Sequence, residues 1–94
     1  MRDVDMTRDE AEKLSLALLK TVGLLDQTAA YVKDHDDKAN WDKYRHAVGR
    51  AMATVSLDLA EPIWVRFPEL RPVQLGGSYE VDPGIYQPLF YDPE

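Results

Sequence analysis

The sequence contains no cysteine, so disulfide bonds, thiol nucleophiles and cysteine-ligated metal sites are excluded for these 94 residues. Long hydrophobic runs are also missing, because Lys20 interrupts the most leucine-rich stretch, which is shorter than the roughly 20 apolar residues of a membrane span. The first thirteen residues carry five acidic side chains, where a secretory signal would be basic. These absences predict a cytoplasmic protein that has no membrane partner.

Positive charge is scarce, since 11 Lys and Arg residues oppose 17 Asp and Glu residues and leave a net charge of −6. Residues 1–37 carry five basic against nine acidic side chains, and residues 62–94 carry two against five. Acidic surfaces repel phosphate backbones, so we expect no nucleic-acid partner and favour a basic protein as a partner. With 45% hydrophobic residues, residues 1–94 have the composition of a single small folded domain.

The first predicted element is a helix over residues 7–33. Thr7 and Glu10 have the spacing of a capping box, in which each side chain accepts a hydrogen bond from the other residue's backbone amide. Apolar residues recur on two opposite sides of this helix, and two apolar sides predict burial between two neighbours, one of which can belong to another chain. The first stripe is Ala11, Leu14, Leu18, Val22, Leu25, Ala29 and Val32, and the second is Leu16, Leu19, Gly23 and Ala30.

A second helix is predicted over residues 37–60, after a short acidic loop that makes the two helices antiparallel. Its apolar face is expected to contain Trp41, Tyr44, Val48, Ala51, Met52, Val55 and Leu59. Pro62 lacks an amide hydrogen, so this helix should end near Ala60 or kink there. A short third helix over residues 62–70 follows, because Ile63, Trp64, Phe67 and Leu70 are dense in apolar surface.

Proline, glycine and aromatic residues dominate residues 72–94, which predict an extended C-terminal arm lying across the helices. Within this arm, Pro83 and Gly84 are expected to be the central residues of a type II turn. So many aromatic side chains in so few residues are not typical of a disordered tail.

Together these elements predict an all-α fold, an antiparallel two-helix hairpin with a short third helix and an extended arm. Two helices cannot enclose a core alone, so the second apolar stripe predicts a homodimer that forms a four-helix bundle. The arm could also cover that stripe by itself. The candidate interface residues are Leu16, Leu19, Gly23, Trp64, Tyr79, Tyr86, Phe90 and Tyr91.

The expected function is protein binding by a small acidic protein of bacterial type, without catalysis and without a cofactor. One alternative is an immunity protein or inhibitor that masks a basic toxin or enzyme. Another is an enzyme subunit with a metal or small-molecule site around Asp42 and His46, which lie one helical turn apart, or at the acidic loop Asp34–Asp37. Neither the loop nor the pair has the spacing of a specific ligand motif, so the sequence favours a solvated loop and no metal.

Overall fold

A computed structural model describes residues 5–90 of the chain. Helices account for 77% of these residues and strands are absent from this range, which confirms the all-α class. Helix α1 comprises Arg8–His35, and helix α2 comprises Lys38–Ala53. The two long helices form a helical hairpin.

Side-chain caps define the ends of the hairpin helices. Thr7 Oγ1 accepts a hydrogen bond from the Glu10 amide at 3.1 Å, and Glu10 Oε1 accepts one from the Thr7 amide at 2.9 Å, so the capping box is confirmed. Asp37 begins α2, because its carboxylate accepts a hydrogen bond from the Asn40 amide at 2.8 Å. The acidic loop therefore acts as a helix cap.

After α2 the chain continues as a π-helical segment, Thr54–Ala60, and then as helix α3, Glu61–Arg66. The Glu61 amide donates to the Ser56 carbonyl, five residues earlier. Pro62 occupies the first turn of α3, where the amide hydrogen that it lacks is needed least. In a regular α-helix, the ring of Pro62 would crowd the carbonyl group four residues earlier. The π-helical segment, whose turns are wider, lies just before Pro62. The helical path thus continues past Pro62.

The π-helical segment moves the buried side of the chain by one residue. Ala60 and Trp64 are buried, whereas Leu59 is 50% exposed. The prediction that Leu59 lies on the buried face was wrong, because it assumed a constant α-helical period. A π turn contains one more residue than an α turn and so rotates the following side chains around the helix axis.

The hydrophobic core lies where α1 meets α3 and the 3₁₀ turn Pro68–Leu70. Its centre is Trp64, which is only 3% exposed and whose indole Nε1 donates to Ser15 Oγ at 2.9 Å. This bond satisfies two buried polar groups at once. The buried members of the cluster are Ala11, Ala60, Ile63, Trp64 and Leu70.

The described part of the arm, residues 72–90, contains two further 3₁₀ turns, Val73–Leu75 and Pro83–Ile85. The prediction of a type II turn at Pro83 and Gly84 was wrong, since that turn needs a positive φ at Gly84 and, among the described residues, only Gly76 has one, at 87°. Asp82 instead accepts a hydrogen bond from the Gly84 amide at 2.8 Å, which favours the 3₁₀ turn.

Candidate interaction surface

Residues 86–90 of the arm, which we call the clasp segment, lie along the second apolar side of α1. The first contact is between Tyr86 and Gly23. A Cβ atom at position 23 would lie 2.8 Å from Tyr86 Cδ1, closer than carbon atoms approach without repulsion. Glycine at this position therefore provides the space in which the Tyr86 ring sits against the helix.

One helical turn further on, the Gln27 side chain binds the backbone of the clasp segment. Its Nε2 donates to the Gln87 carbonyl at 2.9 Å, and its Oε1 accepts from the Leu89 amide at 2.6 Å. A primary amide has both a donor and an acceptor, so one side chain can satisfy both backbone groups. Gln27 thereby holds the segment through its backbone, and any residue except proline could supply the amide that Leu89 donates.

The third contact, another turn along α1, is a stack of rings. Phe90 stacks on Tyr31 with 4.1 Å between ring centroids, and Tyr31 stacks in turn on His35 at 4.1 Å. His35 Nδ1 lies 2.9 Å from the Tyr31 carbonyl oxygen. These contacts fix the end of the clasp segment near the end of α1.

Large apolar side chains remain exposed on both partners of this contact. Leu24 and Leu89 line the same crevice beside Gly23, and Lys20 also lines it. An adjoining apolar groove runs between α1, Met52 of α2 and the clasp segment. We define the α1–clasp surface as five side chains that are between 37% and 55% exposed, namely Leu24, Tyr31, Tyr86, Leu89 and Phe90.

The structure distributes the predicted interface residues between this surface and the core. Gly23, Tyr86 and Phe90 come together at the clasp contact, as described above. Leu16 and Leu19 are half-buried, and Leu19 also packs against the core cluster. Trp64 and Tyr79 contribute to the packing of the chain itself. Tyr91 lies outside the described residues.

Gln27, Leu24 and Leu89 are not among the sequence-predicted interface residues. Gln27 is polar, so a search for apolar residues passes over it, although it stands four residues after Gly23 and four before Tyr31. Positions that are four apart lie on one side of a helix. A polar residue between two apolar contact positions was therefore the available signal.

Two carboxylates near the core bind groups from distant parts of the chain. The Tyr79 hydroxyl donates to Glu12 Oε2 at 2.6 Å, which lowers the pKa of Glu12 and raises that of Tyr79. Arg71 binds both carboxylate oxygens of Glu61, and these hydrogen bonds lower the pKa of Glu61. Both pairs connect the helices to the loop after α3, so these two carboxylates stabilise the fold.

The Asp42 and His46 pair is engaged in contacts within α2. Asp42 Oδ1 accepts from Arg45 Nε at 3.2 Å, which lowers the pKa of Asp42, and Asp42 Oδ2 lies 3.4 Å from Lys38 Nζ. His46 Nδ1 lies 2.6 Å from the Asp42 carbonyl oxygen. Across residues 5–90, no three His, Asp or Glu side chains form a group that could hold a metal ion.

The chain matches no protein-family model, no curated protein and no solved structure. Within residues 5–90, none of the helices combines the length and the apolar character needed to cross a bilayer.

Proposed function

We propose that this chain is a protein-interaction module that acts as a homodimer through the α1–clasp surface and has no catalytic activity of its own. The observation that carries the proposal is the grouping of five large, partly exposed apolar side chains on one side of α1 and the clasp segment. Three of the five are aromatic, and aromatic residues are enriched among those that contribute most to protein interfaces.

The position of the surface supports a helical dimer. The surface runs along α1, so a second hairpin placed on it would bring two α1 helices side by side and produce a four-helix arrangement. Large apolar patches on a protein surface are typical of protein contacts, which supports this assignment.

The charges at the edge of the surface are compatible with contact between two identical copies. A twofold interface brings the same patch of both copies together, so a patch of one charge sign would oppose itself. Lys20 lines the crevice and Asp26 lines the adjoining groove, so both signs border the apolar side chains. A border with both charge signs therefore favours self-association more than a border with one charge sign would.

Light scattering of the full chain at micromolar concentration tests the proposal. We expect twice the monomer mass of 10.7 kDa for the unaltered chain and a return to the monomer mass for Leu24→Glu. The glutamate would place a charge in an apolar interface, where its loss of hydration is costly.

Val65→Glu is the matched control, because Val65 lies on α3 and is 68% exposed. This variant should remain dimeric. A monomeric unaltered chain would contradict the proposal, and so would a dimer that Val65→Glu dissociates and Leu24→Glu leaves intact.

A further inference from the structure

The clasp contact has the properties of a peptide-binding site. Gly23, Gln27 and Tyr31 stand four residues apart on α1, so successive contacts advance by about 6 Å along the helix axis. Residues 86–90 meet these three positions in order, with ring contacts at both ends and backbone hydrogen bonds between them.

The contacts between the clasp segment and α1 do not require that both belong to the same chain. Gln27 binds the Gln87 carbonyl and the Leu89 amide, and the rings of Tyr86 and Phe90 fill the two end positions. All of these contacts involve residues 86–90 and a single row on α1. The same five residues from a second copy would make the same contacts.

The connection before the clasp segment has few hydrogen bonds. The loop ahead of it is closed, because the Tyr79 amide donates to the Arg71 carbonyl at 3.0 Å and the Val73 amide donates to the Tyr79 carbonyl at 3.0 Å. Glu80 and Val81, by contrast, form no hydrogen bond with any other described residue. Residues 80–82 therefore can change direction without breaking hydrogen bonds of the core.

We propose that, in the dimer, the clasp segment of each copy occupies the Gly23–Gln27–Tyr31 row of the other copy. This inference rests on the proposed homodimer and specifies its partner segment as residues 86–90 of a second identical chain. Exchange of an identical element keeps every contact of the closed chain and adds the interface between the two copies, which makes it a low-cost route to a dimer.

A pair of introduced cysteines distinguishes exchange from folding back. The sequence has no cysteine, so the double variant Tyr31→Cys, Phe90→Cys contains only the two introduced thiols. The side chains that they replace are in direct contact, with ring centroids 4.1 Å apart. After mild oxidation, exchange gives a covalent dimer on a denaturing gel without reductant, and reductant returns it to the monomer band.

A mixture of the two single variants gives a second readout. With exchange, Tyr31→Cys and Phe90→Cys chains form a mixed disulfide dimer after they have been unfolded and refolded together. The control pair Tyr31→Cys, Val65→Cys should form little covalent dimer, because Val65 is on α3 and does not belong to the clasp contact. Circular dichroism verifies that each variant is helical before oxidation.

The outcomes separate this inference from the proposed function. A dimer by light scattering whose double variant gives an intrachain disulfide would overturn exchange and leave the homodimer in place. A monomer by light scattering with an intrachain disulfide would overturn both.

Discussion

The two ends of the hairpin differ in how well they exclude water. At the end that contains Trp64, which we call the core end, α1 is covered by the π-helical segment, α3 and the 3₁₀ turn that follows α3. At the loop end, around Asp36 and Asp37, α1 and α2 face each other, and the clasp segment reaches only one side of α1. Five of the seven buried apolar residues in the described chain belong to the core-end cluster.

This difference shows that a large side chain is buried only where a third packing element covers the two helices, and that the amphipathic pattern of the helices alone does not decide it. Trp41 and Tyr44 belong to the predicted apolar face of the second helix, yet Trp41 is half-buried and Tyr44 is exposed. Two helices touch along one line, so side chains at the margins of that line remain wet unless another element covers them. At the core end α3 supplies that cover.

The largest expected effect comes from replacing the tryptophan at each end. Trp64→Ala removes a buried indole and leaves Ser15 without its partner, so the free energy of unfolding should fall by about 3–5 kcal/mol. A small domain is stable by about 5–15 kcal/mol, so this variant should be largely destabilised. Trp41→Ala should cost clearly less, since part of that ring already contacts water. Urea unfolding followed by circular dichroism measures both values.

Ser15→Ala serves as the internal control for the hydrogen bond. It leaves the Trp64 Nε1 donor buried and unsatisfied, which should cost about 1–3 kcal/mol. Once Trp64 is replaced by phenylalanine, the additional loss from Ser15→Ala should be smaller, because the donor has been removed. Equal costs at positions 64 and 41 would contradict the distinction between the core end and the loop end.

The two helical glycines provide a smaller and more specific test. Position 49 of α2 has no other atom within 4 Å of a Cβ, whereas position 23 faces the Tyr86 ring at 2.8 Å. Gly49→Ala should therefore stabilise the chain by up to about 1 kcal/mol through helix propensity alone. Gly23→Ala should not stabilise the chain in this way, because the Tyr86 ring must move to make room for the added Cβ atom.

Limited proteolysis with chymotrypsin gives the matching readout for the clasp segment. Cleavage after Tyr86 or Phe90 should become faster in Gly23→Ala and remain unchanged in Gly49→Ala. Equal stabilisation by both substitutions, with unchanged cleavage, would show that Tyr86 does not pack on Gly23.

The amino-acid sequence predicted the all-α class and the capping box because both depend on local spacing. The first stripe of α1 was also predictable, since every member is buried or half-buried. The π-helical segment was not, because its extra residue changes the period within a run that remains helical, and this change exposes Leu59. Gln27 was missed because a polar side chain that binds a distant backbone carries no hydrophobic signal.

The smallest effects concern acidic pH and again distinguish the two ends. Hydrogen bonds hold the pKa values of Glu12 and Glu61 below the ordinary value of 4.5, so their stabilisation is present at neutral pH and is lost as the pH falls below that value. Asp42 also has a lowered pKa, but its partners Lys38 and Arg45 belong to the same helix.

Glu61→Gln should therefore reduce the loss of stability between pH 7 and pH 3 more than Asp42→Asn does, as measured by urea unfolding at both pH values. Arg71 reaches Glu61 from the loop after α3, so the Glu61 contact forms only when those segments are folded together. The Lys38 and Arg45 contacts with Asp42 span a single turn of α2 and need no tertiary structure. A larger effect of Asp42→Asn would show that the acid-sensitive contacts lie at the loop end, and it would contradict their placement at the core end.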